Sequence, residues 1–155
     1  MPPESVTFAP VDFERQTVMD GLAAAGFRFD RPAFFAWLGV TMYLQCETVM
    51  GMLQAIASLP PASGIVFDYG IDPSLLGVVE RLVFEEFARR VASIGEPWTA
   101  FFEPPLLAAD LRALGFDAIE DLGPTEINER YFRDRADGLK VGTLARLMKA
   151  EKAVF

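Results

Sequence analysis

Two stretches of this chain are almost continuous in apolar residues, and the other elements are placed around them. Phe34 to Val40 (FFAWLGV) and Ile65 to Tyr69 (IVFDY) show the pattern of strands covered on both faces inside a parallel sheet. A helix is predicted between them from about Glu47 to Leu59, ended by Pro60-Pro61. Strand, helix and strand at that spacing predict a βαβ unit with a right-handed crossover. The carboxyl edge of its first strand carries Leu38, Gly39, Met42 and Tyr43, and open α/β sheets place ligands at such edges.

The flanking segments are read the same way. Val6 to Val11 (VTFAPV) predicts a short strand, at an edge or bulged because of Pro10. Phe13, Val18, Leu22 and Ala25 fall at helical spacing over Phe13–Ala25, and Gly26 is a natural stop. A long helix is predicted over about 78–94, its charged residues (Glu80, Arg81, Glu85, Glu86, Arg89, Arg90) read as a solvated face. Gly95-Glu96-Pro97 breaks it. A short aromatic segment, Trp98–Phe102, precedes a helix from Pro104 to Leu114 that Gly115 stops. Phe116–Leu122 (FDAIEDL) alternates like a half-exposed strand, and 128–138 reads as loop with one helical turn. Leu144–Ala150 reads as a final strand, though its composition also suits a helix. Nothing repeats and no low-complexity linker divides the chain, so one α/β domain is expected over residues 1–155.

Composition narrows the function classes. The 155 residues are 52% apolar and 23% charged, which is globular. A formal charge of −8 argues against nucleic acid, which needs a basic face. Fourteen Phe residues require a large buried aromatic surface. One cysteine, Cys46, excludes an internal disulfide framework, fits a reducing cytoplasm, and has no nearby cation to activate it. No apolar run reaches the ~20 residues of a membrane span, and the first residues do not form a signal peptide. Histidine is absent, which removes the usual general base, the Ser-His triads and most zinc sites; no metal site is expected.

Taken in order, VxFxPVDFE, FFAWLGVTMYL, SGIVFDY, GEPWTAFFEP, L-x-x-LGF and ARLMKA resemble the S-adenosylmethionine-dependent methyltransferases of the leucine carboxyl methyltransferase-like superfamily, in particular its bacterial O-methyltransferases. The likeness runs from about Val6 to Ala150. It implies a Rossmann-like, doubly wound class I methyltransferase fold of seven strands, whose first strand ends in a Gly-rich turn under the cofactor and whose second ends in a ribose-binding acid. Neither feature is visible, since Gly21 and Gly26 lie in and at the end of a helix. The expected fold is therefore truncated, about five strands lacking the first two, and resembles the C-terminal half to two-thirds of the family. A truncated product or a degenerate paralogue would look like this.

Site residues follow from the resemblance where its pattern survives. For cofactor binding these are Asp12, facing the adenine amino group, with Phe13 beside the ring, and Leu38 and Gly39 at the end of the family's fourth strand. Asp12 also suits a helix N-cap, and Leu38 stands where many members carry glutamate, leaving a backbone contact there. For substrate they are Tyr43 of the MYL motif, and Asn128 and Tyr131 in a loop placed over the substrate mouth. Tyr43 equally suits packing on the strand, and Asn128 and Tyr131 equally suit plain surface. The implied activity is transfer of a methyl group to a carboxyl or hydroxyl oxygen, which needs no strong base. Weak or absent activity of the separate chain is expected, with a non-catalytic assembly or regulatory module as the alternative. Loss of the first strands would bare one sheet face, so a homodimer is expected.

Overall fold

The computed structural model describes residues 5–11 and 15–154, so Asp12 and Phe13 lie outside the described residues. Five α-helices and six strands are formed among them. Helix α1 (Val18–Ala24) starts five residues later than its apolar spacing suggested. Thr17 fixes that start. Its hydroxyl accepts from the Asp20 N–H at 3.1 Å, and the Asp20 carboxylate accepts from the Thr17 N–H at 3.1 Å, a reciprocal cap.

The βαβ unit is present. Strands β1 (Phe34–Trp37) and β2 (Gly64–Asp68) pair in parallel, Phe34 opposite Gly64 and Trp37 opposite Phe67, with α2 (Cys46–Ala57) between them in sequence. Val49, Leu53 and Ile56 of α2 recur at helical spacing and are buried against Ile65 and Phe67 in the core. Past β2, β3 (Gly70–Ile71) and β4 (Phe101–Phe102) form a separate parallel pair, joined by α3 (Val78–Ser93). Helix α4 (Pro104–Leu114) ends at Gly115, whose φ of +103° lies in the left-handed region that glycine enters freely. Strand β5 (Ala118–Leu122), α5 (Pro124–Tyr131) and β6 (Leu147–Glu151) complete the chain.

The main sheet has the order β1-β2-β6-β5. It is mixed rather than parallel, because β6 inserts antiparallel between β2 and β5. Helices α2 and α4 cover one face through Leu53, Leu107 and Leu111. The opposite face carries Phe34 and Ala36 beside Glu120, Lys149 and Glu151. Among the described helices, α5 reaches this face, through an Arg130–Glu120 ion pair at 2.7 Å.

Three expectations are corrected. Residues 6–11 form no strand: Pro10 has no N–H for a ladder, and the Val11 side chain fills the space a Cβ at Gly21 would need, so the segment rests on α1. Strand β1 is not covered on both faces, since it lies at the sheet edge with Phe34 53% exposed. Residues 124–131 are helical, so Asn128 and Tyr131 belong to α5 rather than to a loop. The charged residues of α3 are solvated as expected, and the helix exposes Val79, Leu82 and Phe87 besides.

Candidate functional site

At the carboxyl edge of β1 and β2 the backbone turns sharply. Gly39, with φ of +72°, ends β1, and a Cβ there would meet nothing within 4 Å, so the backbone at this point is open to approach. Its N–H donates to Oδ1 of Asp68 at 2.8 Å, and the Thr41 hydroxyl donates to the Asp68 carbonyl at 2.6 Å. Asp68 closes β2 and is half-buried. That burial raises its carboxyl above the usual 3.8, and the Gly39 N–H works against the rise.

A single turn of 3-10 helix, Thr41–Tyr43, follows Gly39 and leads into α2. The loop before β4 holds it in place: the Thr99 N–H donates to the Met42 carbonyl at 2.7 Å and the Thr99 hydroxyl to the Leu44 carbonyl at 2.6 Å. Tyr43 stands at the rim of a cleft of about 700 Å³. Thr17 and Met19 from α1, Trp37 from β1, and Thr48 and Met52 from α2 line it.

A second polar cluster lies where β2, β5 and β6 meet. Arg146 donates from Nη2 to Asp121 at 2.5 Å and from Nε to the Tyr69 hydroxyl at 2.9 Å, and that hydroxyl donates to the other Asp121 oxygen at 3.0 Å. Burial, and then the charge of Asp121, push the Tyr69 phenol well above its ordinary value despite the neighbouring guanidinium. Each member satisfies the others, so the cluster welds three strands together.

Of the residues the sequence singled out, Gly39 meets Asp68 at the edge, Leu38 beside it is exposed, and Tyr43 lines the cleft. Asn128 and Tyr131 do not line it. The Asn128 amide clamps a later loop instead, donating to the Val141 carbonyl at 3.1 Å and accepting from the Val141 N–H at 2.9 Å. Tyr131 is exposed beneath the Arg130 guanidinium, 6.0 Å from the ring centre. Asp68, Tyr69, Asp121 and Arg146 were not anticipated. Asp68 had a signal, a lone carboxylate at the end of a buried apolar strand; the others are 25 to 77 residues apart and meet only through the insertion of β6.

The cofactor that the resemblance implies fits these residues only in part. Gly39 offers an open backbone edge. No described strand leads into a Gly-rich turn, however: Gly21 is buried within α1 and Gly26 follows that helix. The Gly-rich turn after a first strand that the resemblance implies is thus not found among the described residues. Among them, no three acidic or cysteine side chains are placed to bind a metal ion.

Comparison with known proteins agrees with the sequence motifs. Residues 1–57 match the family model described as leucine carboxyl methyltransferase. The chain is 33% identical over 141 residues to the Bacillus subtilis (strain 168) protein titled "Putative S-adenosyl-L-methionine-dependent methyltransferase YktD", covering 88% of this chain and 45% of that protein. Among solved structures, a possible exported protein from Bordetella parapertussis is similar at a TM-score of 0.50 and 16% identity, covering 88% of this chain and 50% of that one. The S-adenosylmethionine-dependent methyltransferase SibL in its apo form also gives a TM-score of 0.50, at 10% identity, over 88% of this chain and 40% of its own. At those identities the structural likeness concerns the fold. The chain thus spans about half the length of the relatives it matches.

Proposed function

From the resemblance to the leucine carboxyl methyltransferase family, carried by residues 1–57 and by the methyltransferase relative, we propose that this chain forms the acceptor-side part of an S-adenosylmethionine-dependent O-methyltransferase. The acceptor is a carboxyl or hydroxyl oxygen. The observation that carries this reading is the strand edge where the N–H of Gly39, four residues before the Tyr43 that lines the cleft, holds Asp68. A carboxylate acceptor needs positioning rather than a strong base, which suits a chain without histidine. Tyr43 supplies a hydroxyl at the rim of the cleft to orient such an oxygen.

As a separate polypeptide, the 155 residues bind the methyl donor weakly or not at all, because the described residues lack the turn and the acid that would hold it. Titration calorimetry with S-adenosylmethionine and S-adenosylhomocysteine tests this, and a micromolar dissociation constant would overturn it. Asp68 offers a second test. A group whose carboxyl is raised in the fold contributes its stability below the ordinary value of 3.8 and loses it as pH climbs through the raised value. Asp68→Asn keeps an oxygen for the Gly39 N–H without a buried charge. It is expected to gain about 0.5–1 kcal/mol at pH 7 in urea unfolding and less near pH 4. Equal gains at both pH values would refute the assignment.

A second reading, an assembly module that keeps the fold, is supported by α3. None of its 16 residues is buried, and Val79, Leu82 and Phe87 are 70%, 62% and 51% exposed. Such a face suits a homodimer contact.

A further inference from the structure

We infer that the cleft between α1 and α2 is a binding site for a small molecule with a flat or extended apolar body and one terminal hydroxyl or carboxyl group. Its volume of about 700 Å³ lies in the range of pockets that enclose small ligands. Among the described residues no charged side chain lines it, which suits a ligand whose enclosed part is uncharged. Trp37 gives an aromatic wall, and Met19 and Met52 give thioethers that adapt to irregular shapes. The polar lining comes from Gln16 and Thr17 at the start of α1 and from Tyr43, Gln45 and Thr48 at the start of α2, where the Tyr43 phenol and the Gln45 amide are close in sequence. A ligand's polar terminus belongs there, next to the carboxyl edge of the sheet.

Gly51 is the second observation. It lies within α2, where glycine weakens a helix relative to alanine, and it lines the cleft. A Cβ at this position would meet nothing within 4 Å. No close neighbour therefore requires glycine here. What its missing side chain does is leave the cleft open. This inference names the acceptor class of the methyl-transfer reading and rests on that reading for the ligand's role, but not for its binding.

The test is made without methyl donor, so it stands or falls apart from the transfer reaction. In a Trp98→Phe background, Trp37 becomes the remaining tryptophan, and its fluorescence reports on the cleft wall. The probes are 2-naphthol and 2-naphthoic acid, with naphthalene-1,5-disulfonate as a doubly charged control. Saturable quenching by the first two at one site per chain, and none by the third, is expected. Gly51→Leu should weaken both at least tenfold while its melting temperature stays equal or rises. Undiminished binding to Gly51→Leu, or quenching by the disulfonate as strong as by the naphthol, would overturn the assignment. So would light scattering in which Gly51→Leu alone halves the mass, because the cleft would then be filled by a second copy of the chain.

Discussion

Replacing Arg146 with methionine is expected to cost about 2–4 kcal/mol of folding free energy, the range for breaking a largely buried ion pair after allowance for partial exposure. The Arg146 and Asp121 side chains are 22% and 20% exposed, so most of each is out of water. Methionine fills much of the volume but leaves the Asp121 carboxylate with only the Tyr69 hydroxyl beside it. The loss should appear as a lower urea midpoint with an unchanged slope. Adding Asp121→Asn to the methionine variant should recover part of it, since no buried charge then remains; additive losses would show that the charge pairing is not the cause. The same cluster predicts an alkaline signature. The Tyr69 phenol is held neutral above the ordinary value of 10.0, so its contribution is complete below pH 10 and is lost as pH rises toward the higher folded value. Stability should therefore fall more steeply above pH 10 in the parent than in Tyr69→Phe.

The second large effect concerns assembly. We propose that the protein is a dimer through α3, and light scattering at micromolar concentration should give twice the 17.1 kDa of one chain. A helix of 16 residues is about 24 Å long, enough for a paired stripe. Each exposed apolar side chain on it gains about 1.5–3 kcal/mol on full burial. A two-fold pair brings the same apolar stripe of both copies together. The double change Leu82→Glu and Phe87→Glu should yield a 17.1 kDa species with unaltered secondary structure. A parent protein that is already monomeric would sink the proposal. The sequence suggested sheet faces or edges as the contact. The structure favours the helix because Glu120, Lys149 and Glu151 make much of the open sheet face polar.

How much of this was legible followed from how local the causes were. The βαβ unit, α4 and its Gly115 stop depend on neighbours in sequence, and they form close to where the pattern placed them. The start of α1 was equally local, but its cap, Thr17 with Asp20, lay outside the apolar spacing used to find the helix. Residues 128–138 read as loop with one helical turn, yet Pro124 opens a full helix through Tyr131 and Ile127 anchors it in the core. Phe34 was legible as a strand residue but not as an exposed one, because exposure depends on which strands stand beside it. The site divides in the same way. Gly39 and Tyr43 were readable from a strand end, whereas Tyr69, Asp121 and Arg146 needed the sheet order.

That order also sets the timetable of folding. Strand β6 follows the other described strands in sequence and is an inner strand of the sheet, paired on both sides. While the polypeptide emerges from a ribosome, β2 and β5 are already present, each with an unsatisfied edge that β6 must later fill. Until residues 147–151 arrive, the nascent sheet exists only as the β1–β2 pair on one side and a lone β5 on the other. Closing it requires contacts between residues some 80 positions apart, as between Phe67 and Met148, and such long-range pairing slows the search. A stalled or clipped chain would expose one further edge each on β2 and β5, beyond the two outer edges of the finished sheet, which is the form in which sheets recruit their neighbours into aggregates.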